Sequence, residues 1–244
     1  MKLLFLGTRG LIEKKTRRHR RHSALLVRES GTTILIDCGA DWLGRVASLR
    51  PDAILLTHAH PDHARGLSDG APCPVYATTE TWRSLRSYPI SDPRVVIPRA
   101  PEEIGAIRCE AFAVEHSLFA PAVGYRIGAA GRSFFYVPDV VAIPQRSAAL
   151  RGIDLYIGDG ATITRPILRC RGGTAIGHTP ISAQLDWCRD EGVRSAIFTH
   201  CGSQIVGGDE RLLGPLVRRL GRERRVAARI AYDGLTVELG SVSF

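Results

Sequence analysis

The sequence predicts a layered α/β domain, and three observations support this class. Apolar runs of strand length alternate along the chain with short amphipathic helical segments. Hydrophobic residues make up 44% and charged residues 23%, which are ordinary fractions for a globular protein. No repeat, linker or low-complexity tract interrupts the series. We therefore expect a single domain over residues 1–244.

Each predicted strand is an apolar run that ends at a turn-forming residue or a polar side chain. These runs cover residues 2–6, 24–27, 33–36, 53–56, 74–77, 95–97, 107–114, 123–127, 133–137, 154–157, 195–199, 226–231 and 235–239.

Four helices are predicted, over residues 41–49, 79–85, 180–189 and 211–220. In the third, Ile181, Leu185 and Cys188 recur at helical spacing. Proline is favoured in the first turn of a helix, so Pro215 moves the expected start of the last helix to near Gly214. Residues 161–178 show little periodicity, and we predict no element there.

The composition limits where the protein acts. No apolar run approaches the roughly 20 residues of a membrane helix, and residues 1–10 lack the pattern of a signal peptide. The six cysteines form no C-x-x-C pair, which argues against a zinc ribbon or a redox motif. We expect a cytoplasmic protein without membrane contact. The oligomeric state stays open, with a homodimer among the alternatives.

The net charge of +9 favours an anionic partner, although only three of the 33 basic residues are lysines, a skew that GC-rich coding also produces. Residues 14–22 contain six cations and no acid. Such a run is often a solvated loop. The alternative is a phosphate-binding rim. The candidate substrate-binding residues are Arg17, Arg18, Arg20, Arg21 and His22.

A cluster of metal-type ligands follows the strand at residues 53–56. His58 and His60 can hold one metal ion, and Asp62 and His63, beyond the turn at Pro61, can face a second. Imidazole and carboxylate together suit zinc or manganese, with iron as an alternative. Two such ions about 3.5–4 Å apart ionise a shared water near neutral pH, which gives a hydroxide nucleophile.

Further candidate ligands stand at other strand ends. His116, Asp139 and His200 each follow an apolar run, and Asp139 is suited to bridge two ions because it has two oxygens. Asp37, beside Gly39, is placed to accept a hydrogen bond from a metal-bound histidine. The sequence therefore predicts two divalent ions at one edge of a sheet.

The motif His58-x-His60-x-Asp62-His63, preceded by Thr57 and an apolar strand, resembles the signature of the metallo-β-lactamase superfamily. The resemblance implies an αββα sandwich with a dinuclear site on one edge. It implies that His58, His60 and His116 hold one metal, that Asp62, His63 and His200 hold the other, and that Asp139 holds both. We assign supporting roles to Asp37 and Thr57, and a catalytic role to Asp62.

Other segments resemble the ribonuclease Z and cyclic phosphoribosyl phosphodiesterase branch of that superfamily. They are residues 7–10, 22–23, 158–162, 177–180 and 198–200. The resemblance implies that His178 assists the leaving group. The sequence supports this independently, because Thr179 and Pro180 suit a helix start, the end of a helix that favours anions. No insertion resembles the tRNA-gripping arm of ribonuclease Z.

These observations predict a metal-dependent phosphodiesterase acting on a cyclic phosphate, a nucleotide or nucleic acid. One alternative is a DNA or RNA nuclease that acts on strand ends. Others are a lactone or thioester hydrolase, or a catalytically silent binding protein. The complete ligand set argues against the last of these.

Overall fold

The computed structural model describes residues 1–172 and 174–240, so Gly173 and residues 241–244 of the predicted domain lie outside the described residues. The described chain forms two seven-stranded mixed sheets and a separate two-stranded hairpin. The strands are β1 (Lys2–Gly7), β2 (Ala24–Glu29), β3 (Thr32–Ile36), β4 (Ala53–Leu55), β5 (Val75–Ala77), β6 (Pro93–Val95), β7 (Glu102–Ile104), β8 (Ile107–Val114), β9 (Ala122–Ala129), β10 (Arg132–Tyr136), β11 (Leu155–Asp159), β12 (Ile167–Arg171), β13 (Thr174–His178), β14 (Ser195–Thr199), β15 (Ala227–Ile230) and β16 (Thr236–Glu238).

The helices are α1 (Pro61–Ala64), α2 (Thr79–Ser84), α3 (Arg146–Leu150), α4 (Ile181–Asp190), α5 (Ser203–Gly207) and α6 (Glu210–Arg222). The first sheet has the strand order β16-β1-β2-β3-β4-β5-β6, and the second has the order β15-β14-β11-β10-β9-β8-β7. The hairpin consists of β12 and β13.

The main core lies between the two sheets. Side chains of successive strand residues point to opposite faces, and β10 shows the consequence. Phe134 and Tyr136 belong to the core between the sheets, whereas Phe135 between them packs on the outer side with α4 and α6. A third cluster, which includes Trp42 and Leu67, covers the outer face of the first sheet. These layers confirm the predicted αββα sandwich.

Several predicted segments differ from the structure. The helix expected over residues 41–49 is two short 3₁₀ turns, because Gly44 takes a positive φ between them. Residues 161–178, expected to be irregular, contain the β12–β13 hairpin, whose turn uses Gly172 at positive φ. The last helix begins at Glu210 instead of near Gly214, because Asp209 caps it, and Pro215 lies inside it.

Among the described residues, no helix combines the length and the apolar character that crossing a bilayer requires.

The packing between the second sheet and its outer helices predicts that Phe135→Ala greatly lowers the stability of the protein. The Phe135 ring is fully buried and contacts the Phe112 ring edge-on, with centroids 5.8 Å apart. We expect the free energy of unfolding to fall by about 3–5 kcal/mol in urea titrations, because the cavity cannot close completely. Leu212→Ala, at a side chain that is 69% exposed, is the control and should change it by less than about 0.5 kcal/mol. Equal effects of the two substitutions would contradict this packing.

Candidate metal centre

The polar strand ends meet at one edge of the sandwich. In the first sheet β3 and β4 are parallel, so Asp37 and His58 follow strand ends on the same side. In the second sheet β10, β11 and β14 are parallel, which places Asp139, Asp159 and His200 together for the same reason. The two edges face each other, and the hydrogen bond between His200 and Asp62 joins them.

Close backbone packing holds the loop after β4. Helix α1 begins at Pro61, directly after His60, and carries Asp62 and His63. The amide of Cys38 donates to the His63 carbonyl at 2.7 Å. A Cβ on Gly39 would lie 2.0 Å from the Asp62 carbonyl oxygen, so glycine is required there. The loop therefore enters the site with little freedom to move.

Three histidines form the first group. His58 Nε2 lies 2.9 Å from His60 Nδ1, and that atom lies 3.4 Å from His116 Nε2. His116 Nδ1 donates to the Gly177 carbonyl at 3.0 Å, which leaves Nε2 to face the other two rings. These three nitrogens could hold a metal ion.

The second group combines one carboxylate with two imidazoles. Asp62 Oδ2 lies 2.9 Å from His200 Nε2 and 3.5 Å from His63 Nε2. Asp62, His63 and His200 could hold a second ion. His200 takes a positive φ of 52°, a conformation that a non-glycine residue adopts only where its surroundings enforce it.

Asp139 lies between the two groups. Its Oδ2 is 2.6 Å from His63 Nε2 and 3.7 Å from His58 Nε2, and its Oδ1 is 3.3 Å from His200 Nδ1. Within the described chain, three of these buried atoms make no hydrogen bond of acceptable geometry: Asp139 Oδ2, His63 Nε2 and His200 Nδ1. Buried polar atoms are rarely left without a partner. These side chains therefore fit a bound cation.

Burial and charge set the protonation of the histidines. Burial lowers the pKa of His58, of His116 and of His60, the last to about 4, so their lone pairs are available as ligands at neutral pH. Burial alone would lower the pKa of His63 as well. The surrounding carboxylates of Asp62, Asp139 and Asp37 outweigh it and raise this pKa well above its ordinary value. This excess of negative charge also fits a cation.

The buried Asp37 carboxylate orients the loop after β4. It accepts hydrogen bonds from the Thr57 amide at 2.9 Å, from the Thr57 hydroxyl, and from His63 Nδ1 at 2.9 Å. The Thr57 hydroxyl also lies 3.0 Å from His58 Nδ1. His58 and His63 therefore both present Nε2 to the site.

His178 lies beside the two groups of candidate metal ligands. It pairs with Asp159, a carboxylate for which the sequence predicted no role. Its Nδ1 donates to Asp159 Oδ2 at 2.8 Å and lies 3.3 Å from Asp139 Oδ1. Burial alone would lower the pKa of His178, but the charge and hydrogen bond of Asp159, with Asp139, raise it to about 9. Asp159, His178 and His200 could also hold an ion. However, Asp159 already accepts from the amides of Ala161 and Val140.

Asp159 carries the same signal as Asp37 and Asp139, a carboxylate at the end of an apolar strand, and could have been found from it. Gln184 carries no such signal. It lies buried in α4, accepts from the Asp159 amide at 2.9 Å and donates to the Asp159 carbonyl at 2.8 Å. The expected cap at Thr179 is wrong by one residue, because Pro180 is the N-cap of α4 and the Thr179 hydroxyl donates to Val141.

Residues 14–22, the basic stretch, fold against the rim of the site. Arg18 pairs with Glu210 at 2.8 Å and covers the Tyr232 ring, and Arg21 covers the Trp42 ring. Two carboxylates hold the backbone of the stretch, Asp233 at Arg20 and Arg21, and Asp41 at His22. The side chain of Arg17 is exposed. Lys15, Arg20, Arg21, Asp41 and Arg45 line a depression of about 260 Å³.

Residues 32–201 match the family described as "Beta-lactamase superfamily domain". The ribonuclease Z of Methanopyrus kandleri is 36% identical over 283 aligned positions, which cover 96% of each protein. The ribonuclease Z of Kineococcus radiotolerans is 28% identical, over 63% of this chain and 58% of its own length.

Solved structures share the fold. Zn²⁺-bound PqqB from Methylobacterium extorquens superposes with a TM-score of 0.75 at 18% identity, covering 98% of this chain and 100% of its own. A diphosphatase of the PhnP family gives 0.70 at 22% identity, with coverages of 98% and 97%. The short form of human tRNase Z gives 0.65 at 16% identity, with coverages of 98% and 99%.

The hydrogen bonds of Asp37 predict that Asp37→Asn weakens zinc binding by about 10- to 100-fold. Asparagine tolerates the positive φ of 59° at this position, so the substitution tests the carboxylate and not the backbone. Competition with a chromophoric chelator would measure the affinity. Asp52→Asn is the control, because Asp52 accepts from the Thr33 amide and lies before β4, at the end of that strand away from the site. Equal zinc affinity in wild type and Asp37→Asn would contradict the orienting role.

Proposed function

Because the chain belongs to the β-lactamase superfamily and is a metal-dependent hydrolase, we propose that it hydrolyses phosphodiester bonds in a nucleotide or in nucleic acid. The similarity to ribonuclease Z, 36% identical over 96% of the chain, supports this substrate class within a superfamily of many activities. The observation that carries the proposal is the pairing of His178 with Asp159 beside Asp139.

We assign one divalent ion to His58, His60 and His116, a second to Asp62, His63 and His200, and a shared role to Asp139. Zinc or manganese suits this mixture of imidazole and carboxylate. Bound there, the ions would supply charge to activate water and to neutralise the phosphate oxygens. The unpartnered buried atoms of His63, His200 and Asp139 support this assignment.

His178 is the proposed general acid. Its Nδ1 is engaged by Asp159, so Nε2 is left to donate a proton to the departing oxygen as the P–O bond breaks. The charge and hydrogen bond of Asp159 raise the pKa of His178, which favours keeping this proton in place at neutral pH. The oxygen of a water molecule forms the new P–O bond, and we propose that the Asp62 carboxylate accepts the proton that this water loses. The products are a phosphomonoester and an alcohol.

The substrate need not be a whole tRNA. The 283 aligned positions exceed the 244 residues of this chain, so the Methanopyrus kandleri ribonuclease Z contains residues that this chain lacks. This agrees with the absence of an arm-like insertion in the sequence. The exposed Arg17 and the basic depression that includes Arg20 leave room for the strand of a nucleic acid at the rim, which favours a strand-end nuclease as the second candidate.

Metal-loaded protein is expected to hydrolyse bis(p-nitrophenyl) phosphate and 2′,3′-cyclic nucleotides. His60→Ala should reduce both rates to background, because it removes one ligand of the three-histidine group. Asp52→Asn is the control, since Asp52 lies just before β4, at the end of that strand away from the cluster. Turnover of a lactone or thioester with no phosphodiester hydrolysed would overturn the proposal. A metal-binding protein without any turnover would instead indicate a silent binding protein.

The acid role of His178 predicts a dependence on the leaving group. With the poor alkoxide leaving group of a dinucleotide, His178→Ala should lower kcat by about 10²- to 10⁴-fold. With p-nitrophenolate, which needs little protonation, the loss should be much smaller. Rates with both substrates, compared with wild type at one pH, measure the difference. A uniform loss across leaving groups would show that His178 positions other groups and does not donate the proton.

A further inference from the structure

The β12–β13 hairpin projects from the sandwich and brings His178 into the site. Its two strands pair antiparallel, with Ile167 opposite His178 and Arg169 opposite Ile176. Directly opposed residues share one face of a hairpin, as do residues two apart on one strand. Ile167, Arg169 and His178 therefore lie on the same face. Leu168 lies on the opposite face of the hairpin.

Arg169 lies two residues farther from the site than Ile167, a step of about 6.8 Å along the strand. This is comparable to the separation of successive phosphates in an extended nucleic-acid strand. A phosphate next to the scissile one would therefore come within reach of the Arg169 guanidinium. Since the proposed role of His178 is to protonate the leaving oxygen, the hairpin lies on the leaving-group side.

The inner end of the hairpin is fixed to the metal centre. The Gly177 amide donates to the His116 carbonyl at 3.0 Å, and the Gly177 carbonyl accepts from His116 Nδ1 at 3.0 Å. Gly177 has a φ of 125°, and a Cβ there would lie 1.9 Å from the Ile167 carbonyl oxygen. The inner end of the hairpin, at Gly177 and Ile167, is therefore fixed relative to His116.

Arg169 is available for a ligand. Its side chain is exposed, and no carboxylate in residues 1–172 or 174–240 forms an ion pair with it. By contrast, Arg18 is paired with Glu210 and Arg146 with Glu191. A guanidinium that has no carboxylate partner among the described residues, on the face that carries the proposed acid, matches a phosphate in geometry and charge.

We infer that Arg169 binds a second phosphate carried by the leaving group, so that oligonucleotides are preferred to cyclic or single nucleotides. This inference rests on the proposed phosphodiesterase activity and names the substrate class for the same site. Ile167, 48% exposed between Arg169 and the site, offers an apolar contact to the intervening nucleoside.

The test measures the hydrolysis of three ribodinucleotides and of bis(p-nitrophenyl) phosphate. The dinucleotides are uridylyl-(3′→5′)-uridine and the same compound with a phosphate added at its 5′ end or at its 3′ end. Wild type should cleave one of the two phosphorylated compounds with a kcat/KM about tenfold above that of the parent. Arg169→Gln should abolish this preference, and Arg169→Lys should keep part of it. Hydrolysis of bis(p-nitrophenyl) phosphate should stay unchanged in both variants.

The double variant Leu168→Arg/Arg169→Leu is the matched control, because it keeps the net charge and moves the cation to the opposite face. It should lack the preference. The inference is overturned if wild type cleaves all three dinucleotides equally, if Arg169→Gln keeps the preference, or if the double variant restores it. No hydrolysis of any diester, including bis(p-nitrophenyl) phosphate, would instead refute the proposed function. Thermal unfolding of each variant verifies the fold.

Discussion

The site depends on one buried carboxylate. Asp37 accepts hydrogen bonds from Thr57 and from His63, which joins the end of β3 to the loop after β4. These bonds set the direction of the imidazoles at His58 and His63 before any ion is bound. A carboxylate that is 0% exposed is costly unless such donors surround it. The same bonds therefore keep Asp37 satisfied and align the proposed ligands.

Buried hydrogen bonds also hold the site residues of the second sheet in place. Gln184 in α4 bonds to both the amide and the carbonyl of Asp159, and Asp159 holds His178 by Nδ1. The outer helical layer thereby reaches the site through one side chain. Because His178 is also the last residue of β13, the register of the hairpin and the position of the proposed acid are linked. Recognition of the leaving group and its protonation would share one element.

Some of the cations near the site are paired with carboxylates of the protein, and others are exposed to solvent. Arg9 is 1% exposed and bonds to Asp41, which also holds Lys15 and the His22 amide. The buried Arg9 therefore shapes the rim and is not free for a phosphate. Arg17 and Arg169 are exposed. The count of 33 basic residues therefore overstates the number of cations that a substrate would meet, since some of them are paired with carboxylates.

The sequence by itself determined the fold class and the candidate ligands, because strand-length apolar runs and polar strand ends are local patterns. His58, His60 and Asp62 could be recognised from spacing alone, whereas their geometric grouping with His116, Asp139 and His200 required the parallel strands to meet. Asp159 and Gln184 acquired roles only through contacts 19 and 25 residues apart along the chain. The β12–β13 hairpin was missed because its pairing, and not its composition, defines it. The tertiary structure alone decided the pairs of Arg9 with Asp41, Arg18 with Glu210 and Arg146 with Glu191, since these partners lie far apart in the sequence.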